Sequence, residues 1–355
     1  MIEIDGSLGE GGGQILRTSV ALSAVTGIPV RIDNIRLGRA EPGLKAQHMA
    51  GIRAVADLCN AETEDVSLGS LEVGFTPGAI RTGKVKIDTR TAGSTTLVLQ
   101  ALLFPAFFAR NKVTLEVRGG TDVTWSPSAD YLKHVTLPVI RQAGFNAKLE
   151  LTRRGYFPAG GGEIVVEVSP LKGVKEFNLQ SRGRILSVNG LSHSNKALEG
   201  AGVALRQAKS ARTMLYNVLS NHGFTGEIGI SIEYAEAQSI GSGITLWAET
   251  EKTVLGSLEV GEKSKRAEVV GNEAAKNLIT ELLTNAGLDK HMGDQIIPYL
   301  AIAGGKVSVS EVTAHTKTNV EVVNRFGFDV KIEENVISAK ETELGKTILS
   351  KMSRT

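Results

Sequence analysis

The sequence has very few of the residues that build disulfides, cysteine metal clusters or membrane spans. It contains one cysteine, Cys59, among 355 residues, which excludes an internal disulfide and fits a reducing compartment. No apolar run approaches the roughly 20 residues that a membrane helix needs. The first residues carry neither a basic stretch nor an apolar signal core. We therefore expect a cytoplasmic protein without a membrane segment.

An excess of charge of either sign is also missing. The 40 basic and 38 acidic residues leave a net charge of +2. A protein that follows a long nucleic-acid backbone usually shows a strong basic excess, so this composition argues against that class. A local basic site remains open: Arg36, Arg39 and Lys45 lie close together in a segment whose glycines and proline are typical of a loop.

Glycine, by contrast, is plentiful, with 40 residues that cluster at the ends of predicted elements. Apolar periodicity predicts the order β-α-β-α-β-β over residues 2–89, with its last strand near 84–89. The pattern recurs over 94–168. A third copy is predicted to begin with a strand at 184–190 and to resume with a helix at 292–303.

The predicted fold is α+β, built from three repeated βαβαββ units. Each unit would place two helices on one face of a four-stranded sheet, and the three units would pack their helices inward around one core. The third unit is interrupted by a different pattern of long helices and two strands. We predict a main domain over 1–183 and 279–355 and an inserted small α+β domain over 184–278.

The segment Thr313-Ala-His-Thr-Lys-Thr-Asn319 contains the strongest single candidate for chemistry. It follows a strand-like stretch and opens a helix-like one, so His315 is predicted at a strand-to-helix junction. A neutral imidazole is a nucleophile, and backbone N–H groups at a helix start can hold a phosphate bonded to it. A lone histidine is more often a surface or core residue, so this assignment depends on other features.

A glycine-rich loop over residues 6–13 joins the first predicted strand to the first helix. Its consecutive glycines let a backbone approach a ligand closely, but it has neither the P-loop sequence nor the spacing of a dinucleotide fold. Glu10 is the type of residue that serves a divalent cation beside phosphates. Arg17 lies one helical turn past Gln14 and could grip a phosphate bidentately. An ordinary helix start and a surface arginine explain both residues equally well.

Three further candidates lie at predicted helix starts. Gln100 is a polar residue in an apolar helix and needs a polar partner, such as a nucleobase edge. Asp294 and Gln295 open another apolar helix, where capping alone is an alternative explanation. The third candidate is the predicted helix start over 124–131, which includes Pro127. Since such junctions tend to fall at related ends of sheets, one cleft could collect all of them.

Taken together, these stretches resemble the RNA 3′-terminal phosphate cyclase family. The resemblance covers essentially the whole chain, and the glycine loop together with the late histidine carries it most specifically. The fold that it implies is three units like the C-terminal domain of a translation initiation factor, plus one inserted domain. The matching stretches are Glu10–Arg17, Arg36–Leu44 with Gln47 and His48, Ala92–Gln100, Phe157–Gly162, Asp294 with Gln295, and His315–Asn319.

The resemblance implies an ATP-dependent reaction in three steps. A histidine attacks the α-phosphorus of ATP and releases pyrophosphate, which leaves a histidine–AMP adduct. AMP then passes to the 3′-phosphate of an RNA end. The neighbouring 2′-hydroxyl finally attacks that phosphorus, AMP leaves, and a 2′,3′-cyclic phosphate remains. The implied cofactors are ATP and a divalent cation, Mg²⁺ or Mn²⁺, and the implied partner is an RNA 3′-phosphate end.

The resemblance also implies roles for individual residues. His315 aligns with the adenylated histidine and Glu10 with the residue near the divalent cation. The positions around the adenosine align with Gln100, Pro127, His291, Met292, Gly293, Asp294 and Gln295. The phosphate and RNA-end contacts align with Arg17, Arg36, Arg39 and Gln47.

One position departs from the family pattern. Bacterial members tend to have tyrosine where this chain has His291, so a stacking or hydroxyl contact to the nucleotide is altered there. A second histidine beside the site is also a rival nucleophile, although His315 is favoured.

Two other classes of protein are alternatives to the cyclase. A non-catalytic, cyclase-like ribosome-assembly factor shares the fold but lacks the nucleophilic histidine, whereas this chain keeps His315, Glu10 and Arg17. An enolpyruvyl transferase uses similar units, but six of them and no covalent histidine. The sequence leaves open the physiological RNA, the preferred metal, the role of the insert, and the oligomeric state, a homodimer included.

Overall fold

The structure, a computed structural model, describes residues 1–9 and 11–353. Glu10 therefore lies outside the described residues. Within them the chain forms four four-stranded sheets. None of the helices in these residues has the length and apolar character needed to cross a membrane.

The first unit is a complete βαβαββ fold. Its elements are β1 Ile2–Asp5, α1 Gly13–Thr26, β2 Val30–Asp33, α2 Ala46–Cys59, β3 Glu62–Glu64 and β4 Val73–Thr76. The sheet order is β1-β2-β4-β3, with β1 parallel to β2 and the other pairs antiparallel. Gly27 ends α1 in the left-handed conformation at φ 76°, where a residue without a side chain is unstrained.

The second unit repeats this order. Its elements are β5 Gly83–Asp88, α3 Thr95–Ala106, β6 Val113–Gly119, α4 Ala129–Tyr131, α5 Leu137–Arg141, β7 Ala147–Arg153 and β8 Gly162–Val168, with a π-helical turn over Leu132–Thr136 between the last two helices. The sheet order is β5-β6-β8-β7. The strand predicted near 84–89 therefore opens this unit instead of closing the first, and β3 is the strand that was missed.

The inserted segment follows a short strand and has its own sheet. The elements are β9 Phe177–Leu179, β10 Ile185–Asn195, α6 Val203–Asn221, β11 Glu227–Ala235, β12 Ser242–Thr250, β13 Val254–Val260 and α7 Ala267–Leu283. The inserted sheet is ordered β11-β10-β12-β13, and it shares a separate apolar core with α6 and α7. The prediction that the strand at 184–190 opens the third unit is wrong, because this strand is central in the inserted sheet. Since α7 continues to Leu283, we propose that the insert extends to that residue.

The third unit is assembled across the insert. Its remaining elements are α8 Lys290–Gln295, α9 Ile297–Ala303, β14 Gly305–Ser308, α10 Ala314–Arg325, β15 Asp329–Glu333, β16 Val336–Lys340 and α11 Glu343–Ser353. β9 pairs in parallel with β14 and completes a sheet ordered β15-β16-β14-β9. One apolar core is shared by the three units, with α1 packed against α2, α3 and α10. The predicted fold class, three βαβαββ units and a smaller inserted α+β unit, is confirmed.

One buried carboxylate joins three parts of the molecule. Asp289 caps α8, its Oδ1 accepting hydrogen bonds from the backbone N–H groups of His291 and Met292 at 3.0 and 2.9 Å. The same carboxylate accepts the Tyr131 hydroxyl at 2.6 Å and the Gly256 backbone N–H at 2.9 Å. The second unit, the insert and the third unit are thereby held in a fixed relation beside the candidate site.

Candidate active site

An open cleft of about 680 Å³ lies where the helix starts of the units meet the insert. The insert contributes Leu258, Glu259 and Asn277 to its wall, residues that the sequence did not point to. The predicted site residues that line the cleft are Arg17, Arg36, Arg39, Gln47, Gln100, Pro127, His291, Asp294, Gln295 and His315.

His315 lies in the first turn of α10, which begins one residue earlier, at Ala314. Thr313 caps the helix, since its Oγ1 accepts the backbone N–H of Thr316 at 3.1 Å. The half-buried imidazole faces the glycine loop: a Cβ added at Gly12 would lie 3.9 Å from its Cε1 and 3.8 Å from Nη2 of Arg39. The backbone at Gly12 therefore lies close to both the histidine and this arginine.

Polar side chains connect α1 to the two helix starts of the third unit. The Gln14 amide donates to Asp294 Oδ2 at 3.3 Å and to the His315 carbonyl at 3.4 Å. Thr18 donates to Asn319 Oδ1 at 2.7 Å, and Asn319 donates to the Asp294 carbonyl at 2.8 Å. These bonds fix the histidine relative to the cleft floor.

Two opposite charges share the low-polarity floor of the cleft. Burial raises the pKa of Asp294 to about 7, although the nearby Arg17 opposes the shift. Burial lowers the pKa of Arg17 to about 10 against the pull of Asp294. Because Arg17 is still a full cation at neutral pH and is poorly solvated, it is a strong partner for an incoming phosphate.

His48 is a cleft residue to which the sequence gave no role. Its Nδ1 accepts the Lys45 backbone N–H at 3.1 Å, so the neutral ring carries its proton on Nε2. Burial and the charges of Arg17, Arg36 and Lys45 lower its pKa to about 3. His48 is therefore a neutral hydrogen-bond donor among cations. Its only signal in the sequence was its place, with Gln47, among the stretches that match the family.

The arginine loop is held by its own backbone. Arg36 Nη1 donates to the carbonyls of Glu41 and Gly43 at 3.1 and 3.2 Å. Burial lowers the pKa of Arg36, and the charge of Arg39 adds to this effect. Lys45 pairs with the Glu41 carboxylate. The loop thus presents a compact group of cations to the cleft.

A smaller cavity adjoins the cleft, and its lining combines Gln100, Asp294, Gln295 and other polar side chains with apolar ones. Gln295 is oriented by two hydrogen bonds: it accepts the Thr136 hydroxyl and donates to the His291 carbonyl, both at 3.0 Å. Polar amides above apolar walls suit a planar base.

The remaining residues predicted around the adenosine occupy different environments. Met292 is fully buried in the shared core, and Gly293 packs against Val309. Neither residue lines the cleft. His291 is exposed at the cleft. Loss of solvation between the cleft walls lowers the pKa of His291, and the charges of Lys290 and His315 add to this shift. The charge of Asp289 opposes it.

Among its described residues, the cleft offers few oxygen ligands for a divalent cation. The lining carboxylates among them are Asp294, which accepts from Gln14, and Glu259, which pairs with Lys265 at 2.7 Å. Both are already engaged, and they do not form a set of oxygen ligands. This part of the chain does not fit a resident cation by itself.

A second cluster lies outside the cleft, between the second unit and the insert. Ligand atoms of Asp122, Asp130 and His193 lie within 4.8 Å of one another. Arg154 Nη1, however, contacts the two carboxylates at 3.0 and 2.9 Å, and Arg154 also binds Glu233 at 2.9 Å. Burial would raise the pKa of Asp122, but the charges of His193 and Arg154 outweigh it and lower that pKa. The guanidinium of Arg154 occupies the position that a metal ion would need, so we interpret the cluster as a buried ion network.

Comparisons with known proteins agree with this geometry. The model of a family described as RNA 3′-terminal phosphate cyclase matches residues 8–333. The RNA 3′-terminal phosphate cyclase of Pyrococcus furiosus is 49% identical over 326 residues, which cover 92% of this chain and 93% of the relative. That of Archaeoglobus fulgidus is 48% identical over 96% of this chain and all of the relative. That of Ignicoccus hospitalis is 45% identical over 94% of each.

A histidine at a helix start that faces a group of arginines is typical of the active site of an enzyme that transfers phosphoryl or nucleotidyl groups. Three repeated units and one insert surround that site here. The chain belongs to the RNA 3′-terminal phosphate cyclase family.

Proposed function

We propose that this protein uses ATP to convert the 3′-terminal phosphate of an RNA into a 2′,3′-cyclic phosphate. The observation that carries the proposal is the position of His315, in the first turn of α10 and in one cleft with Arg17, Arg36 and Arg39. Relatives that match nearly the whole chain are named for this activity.

In the first step an imidazole nitrogen of His315 bonds to the α-phosphorus of ATP. The bond from that phosphorus to the bridging oxygen breaks, and pyrophosphate leaves. The N–H groups of the first turn of α10 and the neighbouring Arg39 offset the charge on the transferred phosphate.

In the second step a 3′-phosphate oxygen of RNA attacks the phosphorus of the adduct, and the P–N bond to His315 breaks. The third step is attack by the adjacent 2′-hydroxyl on the RNA phosphorus, with loss of AMP and of the hydroxyl proton. Both steps need the phosphate held in line more than they need further covalent chemistry. We assign that positioning to Arg17, Arg36, Arg39 and Gln47.

We assign the adenosine to the smaller cavity and its rim. Gln100 and Gln295 can hydrogen-bond to the edge of the base. Pro127 can pack against one face of the nucleotide, and Asp294 can contact the adjoining polar groups. Met292 and Gly293 shape this subsite through the backbone of α8, since the Met292 side chain is buried in the core and Gly293 has no side chain. His291 takes the place of the tyrosine of bacterial members.

A divalent cation, Mg²⁺ or Mn²⁺, is part of the proposal and would be held by Glu10 and by phosphate oxygens. Its chemistry would be to offset phosphate charge. In Glu10→Gln we expect self-adenylation to need a higher metal concentration. An unchanged metal dependence would remove Glu10 from this role.

We also propose a cytoplasmic location. The single cysteine is buried and free, which suits a reducing compartment. Fractionation of the native cells would test this.

The decisive experiment is the intact mass of the protein after incubation with ATP and either metal, without RNA. We expect a gain of one AMP, labile to acid, that maps to His315. His315→Asn should gain no AMP and cyclise no RNA. The matched variant His291→Asn should still form the adduct, at a reduced rate.

Each contrary result would point to a different alternative. An adduct that maps to His291 would overturn the choice of nucleophile. No adduct with either metal would favour a non-catalytic RNA-binding factor. An enolpyruvyl transferase is already disfavoured, because three such units, not six, occur in residues 1–9 and 11–353.

A further inference from the structure

Trp125 is exposed at the edge of the cleft that contains His315. Its side chain is 98% exposed, although burying an indole is strongly favourable. The second of the two tryptophans, Trp247, stacks on the ring of His134 at a centroid distance of 4.1 Å. A large exposed aromatic side chain beside a functional cleft marks a binding surface.

The loop that carries Trp125 is closed and fastened at both ends. The Ala129 backbone N–H donates to the Thr121 carbonyl at 3.0 Å, which joins the two ends of the loop. The buried Arg154 contacts Asp122 at one end and Asp130 at the other. The indole therefore projects from a rigid support.

The backbone at Trp125 is held in an unusual conformation. Its φ is 63°, a region that bulky residues adopt only when their surroundings impose it. Next to it, the Pro127 carbonyl accepts the Thr96 hydroxyl at 2.6 Å, and the Ser128 hydroxyl bonds to that of Thr245 in the insert at 2.7 Å. Because the loop backbone is already ordered, binding a partner has to order only the two side-chain torsions of the indole.

The cleft extends beyond the smaller cavity assigned to the adenosine. Its volume of about 680 Å³ lies within the roughly 300–1,000 Å³ of ordinary ligand pockets. The smaller cavity assigned to the adenosine includes Gln100 and Gln295 in its lining, whereas Trp125 belongs to the open cleft, with Arg36 and Arg39. Basic side chains combined with an aromatic platform are the usual means of binding single-stranded nucleic acid.

We propose that the indole of Trp125 stacks on an unpaired base of the RNA substrate, close to its 3′-phosphate. This inference rests on the proposed cyclase function. Because every base has an aromatic face, the contact accepts any sequence but requires an unpaired end. The substrate class is therefore a single-stranded 3′-phosphate terminus, and a blunt duplex end is disfavoured.

The first test is the affinity for a short single-stranded RNA that ends in a 3′-phosphate. Trp125→Ala should raise its Kd about tenfold, the size expected for one lost stacking contact. Trp125→Phe should restore most of the affinity, because it keeps an aromatic face. The matched control is Tyr216→Ala, which removes another exposed aromatic side chain, 65% exposed on α6, and should leave the Kd unchanged.

The second test removes the base instead of the indole. RNAs with an abasic ribose at one of the last three positions should show one position where the wild-type protein loses affinity. At that position Trp125→Ala should lose nothing further, since the two changes remove the same contact. A blunt duplex carrying the same 3′-phosphate should bind more weakly than the single strand to wild type, and about equally to Trp125→Ala.

Self-adenylation by ATP alone separates this inference from the proposed function. The loss of RNA affinity in Trp125→Ala should be larger than any change in its adenylation rate. Equal losses would assign Trp125 to the nucleotide and overturn the inference, as would an unchanged RNA Kd or an abasic penalty that persists in the variant. Failure of the cyclase function would instead appear as a wild-type protein that forms no adduct.

Discussion

Asp294 carries a consequence for the pH dependence of stability. The folded chain holds its proton up to about pH 7, whereas an unfolded aspartate releases it near pH 4. Between these values the folded state binds more protons than the unfolded state, so its stability falls as pH rises from about 4 to 7. In Asp294→Asn we expect the free energy of unfolding to lose this fall, as measured by urea denaturation across that range. Glu62→Gln, at an exposed strand position, should keep it. An unchanged slope in Asp294→Asn would contradict the raised pKa.

Gly13 gives a second prediction at the scale of single residues. Alanine normally stabilises a helix by about 1 kcal/mol relative to glycine. At this position, however, a Cβ would lie 2.3 Å from His48 Nε2, and the buried ring cannot withdraw easily. Gly13→Ala should therefore lower the free energy of unfolding.

The matched comparison for Gly13 is the same substitution in a His48→Ala background. There the obstructing ring is absent, so Gly13→Ala should be neutral or stabilising. Denaturation of the four proteins measures the coupling between the two residues. Equal effects of Gly13→Ala in both backgrounds would show that the ring does not oppose a side chain at position 13.

At the scale of elements, the loop between β6 and α4 depends on Arg154. Replacing it by methionine leaves the buried carboxylates of Asp122 and Asp130 without their cation, a change that typically costs about 3–5 kcal/mol. Arg154→Met should therefore lower the free energy of unfolding by that order. It should also weaken RNA binding, because Arg154 fastens the loop that carries Trp125. The adjacent Arg153 is exposed, and Arg153→Met is the matched control, with a cost below about 0.5 kcal/mol. Similar losses in both variants would argue against the buried network.

The prediction of elements succeeded where periodicity was long and failed where strands were short. The helices around the core were found because their apolar faces repeat over three or more turns. β9 has only three residues, Phe177–Leu179, which is too short a run to stand out, and the three residues of β3 are all exposed and show no apolar alternation. Missing β3 shifted the strand at 84–89 into the wrong unit. The strand at 184–190 was placed wrongly because its pairing partners lie within the insert, which periodicity does not reveal.

The residues of the cleft were predictable only in part. Motifs pointed to those at helix starts, because a polar residue at such a position interrupts an apolar pattern. Leu258, Glu259 and Asn277 reach the cleft through the packing of the insert, and no local signal marks them. Trp125 lies in a segment that the sequence singled out as a helix start, but its exposure depends on the closure of the loop in three dimensions.

At the scale of the whole molecule, near-neutral charge predicts how RNA binding responds to salt. The cations assigned to the RNA end are Arg17, Arg36 and Arg39, and the chain has a net charge of only +2. Two or three phosphate contacts predict that log K falls with log salt with a slope of about −1.5 to −2. Titrations with 6- and 20-nucleotide 3′-phosphate RNAs should give the same slope and similar affinity. A steeper slope for the longer RNA would reveal a basic track outside the cleft.

The interrupted third sheet sets an order of events during synthesis. β9 can pair with β14 only after the whole of residues 180–304 has been translated, which takes roughly 6–25 s at ordinary elongation rates. The insert has its own apolar core and can fold during that interval, whereas the core of the first two units is shared with the third and is completed later. His315 follows β14, so the arginine loop emerges from the ribosome long before the nucleophile does. A nascent or truncated chain that ends before α10 can offer cations to an RNA end, but it has no histidine there for ATP to modify.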